Sequence, residues 1–237
     1  MDRVDRTEAL DLALAAVAAS GRADDLMLRG SALMSTWYPT QAREPGDLDF
    51  VVLAEDWEID DPATDEFFAE LMSAPGFGSG LARIESIWEY DRAPGRRLTM
   101  PFPGGSVQLD FVFGEKVSIE PETAVIALSR SGPGVRLRVA PKPISLAWKL
   151  SWLLVDFEPK PKDLYDAVLL AEDDSIDRRV LRTTLLEVFE QLGADRLADL
   201  GDIDVEFSWS EFQREHPQAT GSGDDWLRRL EIALKAP

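Results

Sequence analysis

Two carboxylates stand two residues apart at Asp47 and Asp49, within Arg43-Glu44-Pro45-Gly46-Asp47-Leu48-Asp49-Phe50-Val51-Val52. On a strand, residues i and i+2 share a face, so both carboxylates point the same way. Like charges about 4 Å apart repel by about 4 kcal/mol at an effective dielectric of about 20. Such a pair is stable when one carboxyl keeps its proton or when a cation sits between the two. Oxygen ligands of this kind suit magnesium, which binds one or two carboxylates together with substrate phosphates. The pair points to metal-dependent phosphate chemistry.

Two further features lie in phase with it. Gly30-Ser31 follows the apolar run Leu26-Met27-Leu28 and precedes Ala32-Leu33-Met34, the order of a strand, a tight turn and a helix. Glycine lets the backbone approach a ligand closely, and N–H groups at a helix start attract anions. The Ser31 hydroxyl adds a donor for a phosphate oxygen, a role compatible with capping the helix. Asp110 stands alone among apolar neighbours in Ser106-Val107-Gln108-Leu109-Asp110-Phe111-Val112-Phe113. Alternation puts Val107, Leu109, Phe111 and Phe113 on one face, and Gln108 and Asp110 on the other. Three aspartates on neighbouring strands, beside a turn that grips phosphate, are able to hold two magnesium (or manganese) ions. One would orient a triphosphate, and the other would lower the pKa of an attacking hydroxyl.

These groups need a frame, and the rest of the pattern supplies one. Residues 5–19 have helical spacing, with Thr7 as expected N-cap and Gly21 as stop. A helix over 32–38 ends at Pro39, and a strand runs from Asp47 to Ala54. Residues 63–73 read as an amphipathic helix, and residues 83–90, 97–102, 106–113 and 135–139 as strands. Pro141 and Pro143 break the chain, after which 144–157, 162–172, 177–192 and 224–235 read as helices. Strands concentrate before about residue 140 and helices after it. The expected class is α+β, a mixed sheet with flanking helices followed by a helical half.

Composition narrows the chemistry. The 237 residues include no cysteine and one histidine, His216, which removes disulfides, thiolate centres and multi-histidine zinc sites. A net charge of −19 gives no global positive field for nucleic acid, so any such contact needs a local basic patch. Arg130, Arg136, Arg138 and Lys142 form the clearest basic cluster, with a solvated face as its ordinary explanation. No leader pattern or long apolar run is present, so the expectation is a cytoplasmic protein with no membrane partner.

The order Gly-Ser, fifteen residues, Asp-x-Asp and a distant third aspartate resembles the nucleotidyltransferase superfamily. Lys149 in Ser145-Leu146-Ala147-Trp148-Lys149-Leu150 and the run Lys162-Asp163-Leu164-Tyr165-Asp166 make residues 25–172 similar to the AbiEii/AbiGii-type toxin family, MenT-like toxins included. The resemblance implies a nucleotidyltransferase domain over 1–140 and a helical domain over 141–237 that completes a nucleotide-binding cleft. It implies magnesium-dependent transfer of a nucleoside monophosphate from an NTP, such as ATP or CTP, to an acceptor hydroxyl. The leading acceptor is a transfer-RNA 3′ end, and the role is the toxin of a toxin–antitoxin or phage-defence pair with a cognate antitoxin.

Under this resemblance Asp47 and Asp49 hold metal, and Asp110 completes the second site. Gly30 and Ser31 grip the β- and γ-phosphates. Apart from the resemblance, the place of Arg43 ahead of the Asp pair lets it reach a phosphate or screen the carboxylates. Lys149 stabilises developing negative charge. Asp163 and Asp166, three apart on one helix face, either position Lys149 or contact the ribose or base. The segments Trp37-Tyr38-Pro39 and Pro45-Gly46 lengthen the loop before the Asp pair relative to the family. The acidic balance suits a cationic acceptor, so a protein side chain or an aminoglycoside is the alternative. A nucleotide-binding module without turnover is a third reading, opposed by the retention of two mutually repelling carboxylates.

Overall fold

The computed structural model describes residues 5–77, 82–87, 93–129, 132, 134–156, 158–192 and 206–235. Arg130 and the expected element ends at 88–90 and 157 lie outside these residues. The chain forms two compact units. One comprises Met1–Pro39, Arg43–Val117 and Pro121–Ala140; the other comprises Thr40–Ala42, Ser118–Glu120 and Pro141–Pro237.

The first unit is built on a mixed seven-stranded sheet. Its strands are Leu26–Arg29 (β1), Leu48–Val52 (β2), Arg83–Ile87 (β3), Gly95–Phe102 (β4), Gly105–Val112 (β5), Glu122–Ile126 (β6) and Val135–Val139 (β7), in the spatial order β3-β4-β5-β2-β1-β7-β6. β2 runs parallel to β5, and β1 parallel to β7; the remaining neighbours are antiparallel. Three helices accompany the sheet: Arg6–Ala19 (α1), Ser31–Trp37 (α2) and Pro62–Met72 (α3).

Strand alternation sorts the side chains between the faces. Leu48, Phe50, Leu109 and Phe111 share one face by register. Phe50 and Phe111 stack at 5.2 Å, and α3 lays Phe67 and Phe68 on Phe111 at 5.3 and 5.4 Å. Each such aromatic, fully removed from water, contributes about 1.5–3 kcal/mol. Asp49 and Asp110 are thereby left on the opposite face.

Several local expectations shift. Asp5, not Thr7, caps α1: its Oδ1 accepts from the Glu8 N–H at 2.8 Å, and Glu8 Oε2 accepts from the Asp5 N–H at 3.3 Å. The helix ends before Gly21, at Ser20, whose Oγ donates to the Val17 carbonyl at 2.8 Å. β2 begins at Leu48, so Asp47 stands just ahead of the strand. β6 carries no apolar alternation, and Val125 is exposed; it is a short edge strand.

The second unit is helical: Lys142–Val155 (α4), Pro161–Ala171 (α5), Arg178–Leu192 (α6), Glu206–Glu215 (α7) and Gly223–Lys235 (α8). Pro143 does not break the chain. It lies in the first turn of α4, where a missing N–H has no intrahelical partner to lose. Pro161 opens α5 in the same way. Tyr165, Trp209, Phe212 and Trp226 form an aromatic core, with Tyr165 and Trp226 at 4.7 Å and Trp209 and Phe212 at 5.4 Å. The Tyr165 hydroxyl donates to the Gln41 carbonyl at 2.5 Å. Among the described residues no helix is long and apolar enough to cross a membrane.

Candidate active site

A single rung of the sheet gathers the charged groups. Arg29 of β1 is in register with Asp49 of β2, Asp49 with Asp110 of β5, Asp110 with Arg97 of β4, and Arg97 with Glu85 of β3. Residues directly opposite on neighbouring strands share a face and interact side chain to side chain. Two carboxylates therefore lie next to each other in the middle of the sheet, with an arginine on either side. Asp47 lies two residues ahead of Asp49, just before β2 begins.

The Gly30 turn presses on this rung. Gly30 has φ +82°, a backbone conformation that L side chains rarely adopt. A Cβ at this position would run into Asp49 Oδ2. Close approach of backbone to carboxylate thus requires glycine twice over. Ser31 follows, 2% exposed, and its Oγ finds no hydrogen-bond partner among the described residues. A buried hydroxyl without a partner loses free energy on the order of 1–3 kcal/mol. That donor is suited to an incoming oxygen.

Arg97 grips Asp110 side-on: Nε donates to Oδ1 and Nη2 to Oδ2, both at 2.7 Å. Bidentate guanidinium–carboxylate pairs are among the stronger charge-assisted contacts. The hydrogen bond to Asp110 holds Arg97 above the usual arginine pKa against the opposing effect of burial, and the fields of Asp110, Asp47 and Asp49 push the same way. Arg29, across the rung, is 7% exposed and donates from Nη1 to Glu115 Oε2 at 2.6 Å. Arg43 is half-buried in the loop ahead of Asp47, with its carbonyl accepting from Ser35 Oγ at 3.1 Å.

Asp47 and Asp49 are both half-buried and both act electrostatically on Arg97, and two such carboxylates are a donor set that fits one divalent cation. Among the described residues no three carboxylate or imidazole groups are gathered so as to hold a metal ion. The expected three-aspartate set is not closed here, because the β4–β5 register points both Asp110 oxygens at Arg97. Beyond the rung, a cavity of about 500 Å³ is lined by Asp5, Arg6, Phe102, Gly104, Ser106 and Gln108. Gln108 shares its face of β5 with Asp110, and Arg6 donates to the carbonyl of Gly46, next to Asp47, at 2.5 Å.

In the helical unit, Lys149, Asp163 and Asp166 meet. Lys149 Nζ lies 2.6 Å from Asp163 Oδ1 and 3.0 Å from Asp166 Oδ2. The three side chains are only 7%, 6% and 0% exposed. The i, i+3 spacing of the two aspartates puts both on the face of α5 that receives Lys149 of α4. Of the two roles that spacing leaves open, contact with Lys149 is the one realised within the unit.

The expectations omit Arg97 and Arg29. Arg29 adjoins the Gly30-Ser31 motif but carries no spacing signal of its own. Arg97 was within reach: strands at 97–102 and 106–113 joined across Pro103-Gly104 pair residues in a fixed order, which sets Arg97 opposite Asp110.

The fold and the sequence both have relatives. A Helicobacter pylori protein, JHP933, superposes with a TM-score of 0.53 at 17% identity, over 95% of this chain and 87% of that one. A Helicobacter pylori protein described as a candidate nucleotidyltransferase gives a TM-score of 0.53 at 15% identity, over 99% of this chain and 94% of that one. At such identities the likeness speaks for the fold. Among curated proteins, no sequence matches this chain. The family described as "Nucleotidyl transferase AbiEii toxin, Type IV TA system" matches residues 12–231, and a match of that extent places the chain in this family of nucleotidyltransferase toxins.

Proposed function

We propose that the protein transfers a nucleoside monophosphate from an NTP, ATP or CTP foremost, to an acceptor hydroxyl in a magnesium-dependent reaction that releases pyrophosphate. The acceptor in this proposal is a transfer-RNA 3′ end, the setting is the cytoplasm, and a cognate antitoxin restrains the activity. The observation that carries the reading is the rung on which Asp49 and Asp110 lie side by side, with Asp47 two residues ahead of Asp49 and Gly30 against Asp49.

Asp47 and Asp49 would hold the divalent ion, which when bound supplies a Lewis acid for the triphosphate. Gly30 leaves its backbone bare, so the polyphosphate can approach the chain closely. Ser31 Oγ donates to a phosphate oxygen in place of the partner it lacks. Gln108 and Arg6, lining the neighbouring cavity, offer an amide and a guanidinium to a polar ligand. Lys149 as the charge-stabilising cation, Asp163 as a catalytic group and Asp166 as a nucleotide-binding group are carried over from the family resemblance. The mutual contact of the three side chains supports treating them as one functional group.

Incubation with each of the four labelled NTPs, Mg2+ and total RNA tests the reading. Label should enter transfer RNA and should be lost in Asp49→Asn. The net charge of −19 favours a second reading, a cationic small acceptor such as an aminoglycoside. Label in that acceptor, with none in RNA, would replace the first reading by the second.

A further inference from the structure

We propose that Arg97 is the second cation of the acidic rung: anchored by Asp110, its guanidinium receives the NTP triphosphate opposite one divalent ion on Asp47 and Asp49. The inference rests on the reading above that the rung is where the NTP reacts.

The geometry of the pair supports it. Side-on pairing uses Nε and one Nη2 proton, which leaves both Nη1 protons and the second Nη2 proton turned away from Asp110. The two ends of the pair differ in access: the Asp110 side chain is 3% exposed and that of Arg97 is 30%. The carboxylate is the fixed root and the guanidinium the reachable tip. Arg29, the other arginine of the rung, cannot take the role: its side chain is 8% exposed and its Nη1 is held by Glu115.

The charges point the same way. Asp47, Asp49 and Asp110 all act electrostatically on Arg97. With Asp110 holding an arginine, a second metal has no carboxylate left to it. An arginine offers what the second metal would: a planar fork matched to phosphate oxygens and a charge that no physiological pH removes.

Mn2+ titration followed by electron paramagnetic resonance, together with calorimetric binding of a non-hydrolysable NTP analogue, tests the assignment. Wild-type protein should bind one Mn2+ per chain, and Asp110→Asn should keep that stoichiometry. Arg97→Gln should keep its Mn2+ but bind the analogue about ten- to a hundredfold more weakly. Arg97→Lys should recover part of the loss, since it restores the charge without the fork. Two Mn2+ per wild-type chain, falling to one in Asp110→Asn, would overturn the inference while leaving the proposed function standing. Wild-type analogue affinity in Arg97→Gln would overturn it as well. Wild-type protein that binds neither Mn2+ nor analogue would remove the proposed function itself, and the inference with it. Circular dichroism checks the fold of each variant; should Arg97→Gln not fold, the Asp110→Asn stoichiometry decides.

Discussion

The sheet and the helical unit each set one cation against aspartates, with opposite access to water. In the sheet, Arg97 meets Asp110 with the guanidinium 30% exposed. In the helices, Lys149 meets Asp163 and Asp166 with every member below 10% exposure. In the sheet the exposed guanidinium keeps donors for a ligand while Asp110 holds its other edge. A sealed cluster fixes its charges, because drawing the lysine away would strand two carboxylates in a dry interior. The same kinds of group thus leave a reachable cation in one unit and an enclosed one in the other; the aspartates are buried in both, and the difference lies in the exposure of the cation.

The sharpest way to break this contrast is Lys149→Met. It should lower the unfolding free energy by about 3–5 kcal/mol in urea denaturation, since two buried aspartates lose their shared cation. Replacing Lys149, Asp163 and Asp166 together by apolar residues should regain most of that stability. If transfer stays absent in the regained protein, the cluster is functional as well as structural. Stability that does not return would mean that the cluster fits its site by more than charge.

On the sheet side the prediction inverts. Asp49→Asn should reduce transfer by about 10²–10³-fold, measured by pyrophosphate release. Circular dichroism should show the variant folded, since Asn keeps the size of Asp and one acceptor oxygen. A large loss of stability would show the rung to be as structural as the helical cluster. Next in size, Gly30→Ala should cost about 1–3 kcal/mol, from the strained backbone and the collision with Asp49. Its transfer should fall with that stability loss, since the residue it displaces is Asp49.

The smallest effect concerns Tyr165. Burial, with Asp166 nearby, pushes its hydroxyl above the usual tyrosine value. A raised folded pKa means stability that is present below the ordinary tyrosine pKa and lost as pH rises through the folded one. Stability should therefore fall above about pH 10. Tyr165→Phe should flatten that decline and, through the lost bond to Gln41, lower stability at neutral pH by about 1 kcal/mol. An unchanged alkaline slope in the variant would remove Tyr165 from the account.

Local signals carried the acidic site far. Asp47 and Asp49 are visible because a two-residue spacing beside an apolar run reads as one face of a strand, although β2 begins only at Leu48. Asp110 is visible because strict alternation isolates it. Arg97 required pairing information, which alternation within one strand does not hold. The Lys149 cluster joins residues on two helices, so α5 showed its aspartates while their partner came only from resemblance. β6 escaped because an exposed edge strand has no buried face to pattern. α7 escaped because Trp209 and Phe212 give it a stripe too narrow for a periodic signal. At α1, an aspartate two residues earlier outcompeted Thr7 because Glu8 answers it in a reciprocal cap.

The strand order has a consequence for synthesis. β2 lies between β1 and β5, and β5 reaches it as a parallel neighbour only after α3, β3 and β4 have been made. Parallel partners far apart in sequence close late, since the intervening loop must order first. A growing chain that has emerged through Asp49 holds half of a rung, without Asp110 or Arg97 beside it. A toxin laid out in this order does not complete its acidic centre until β5 has been made, and a truncated product that stops short of β5 lacks it altogether.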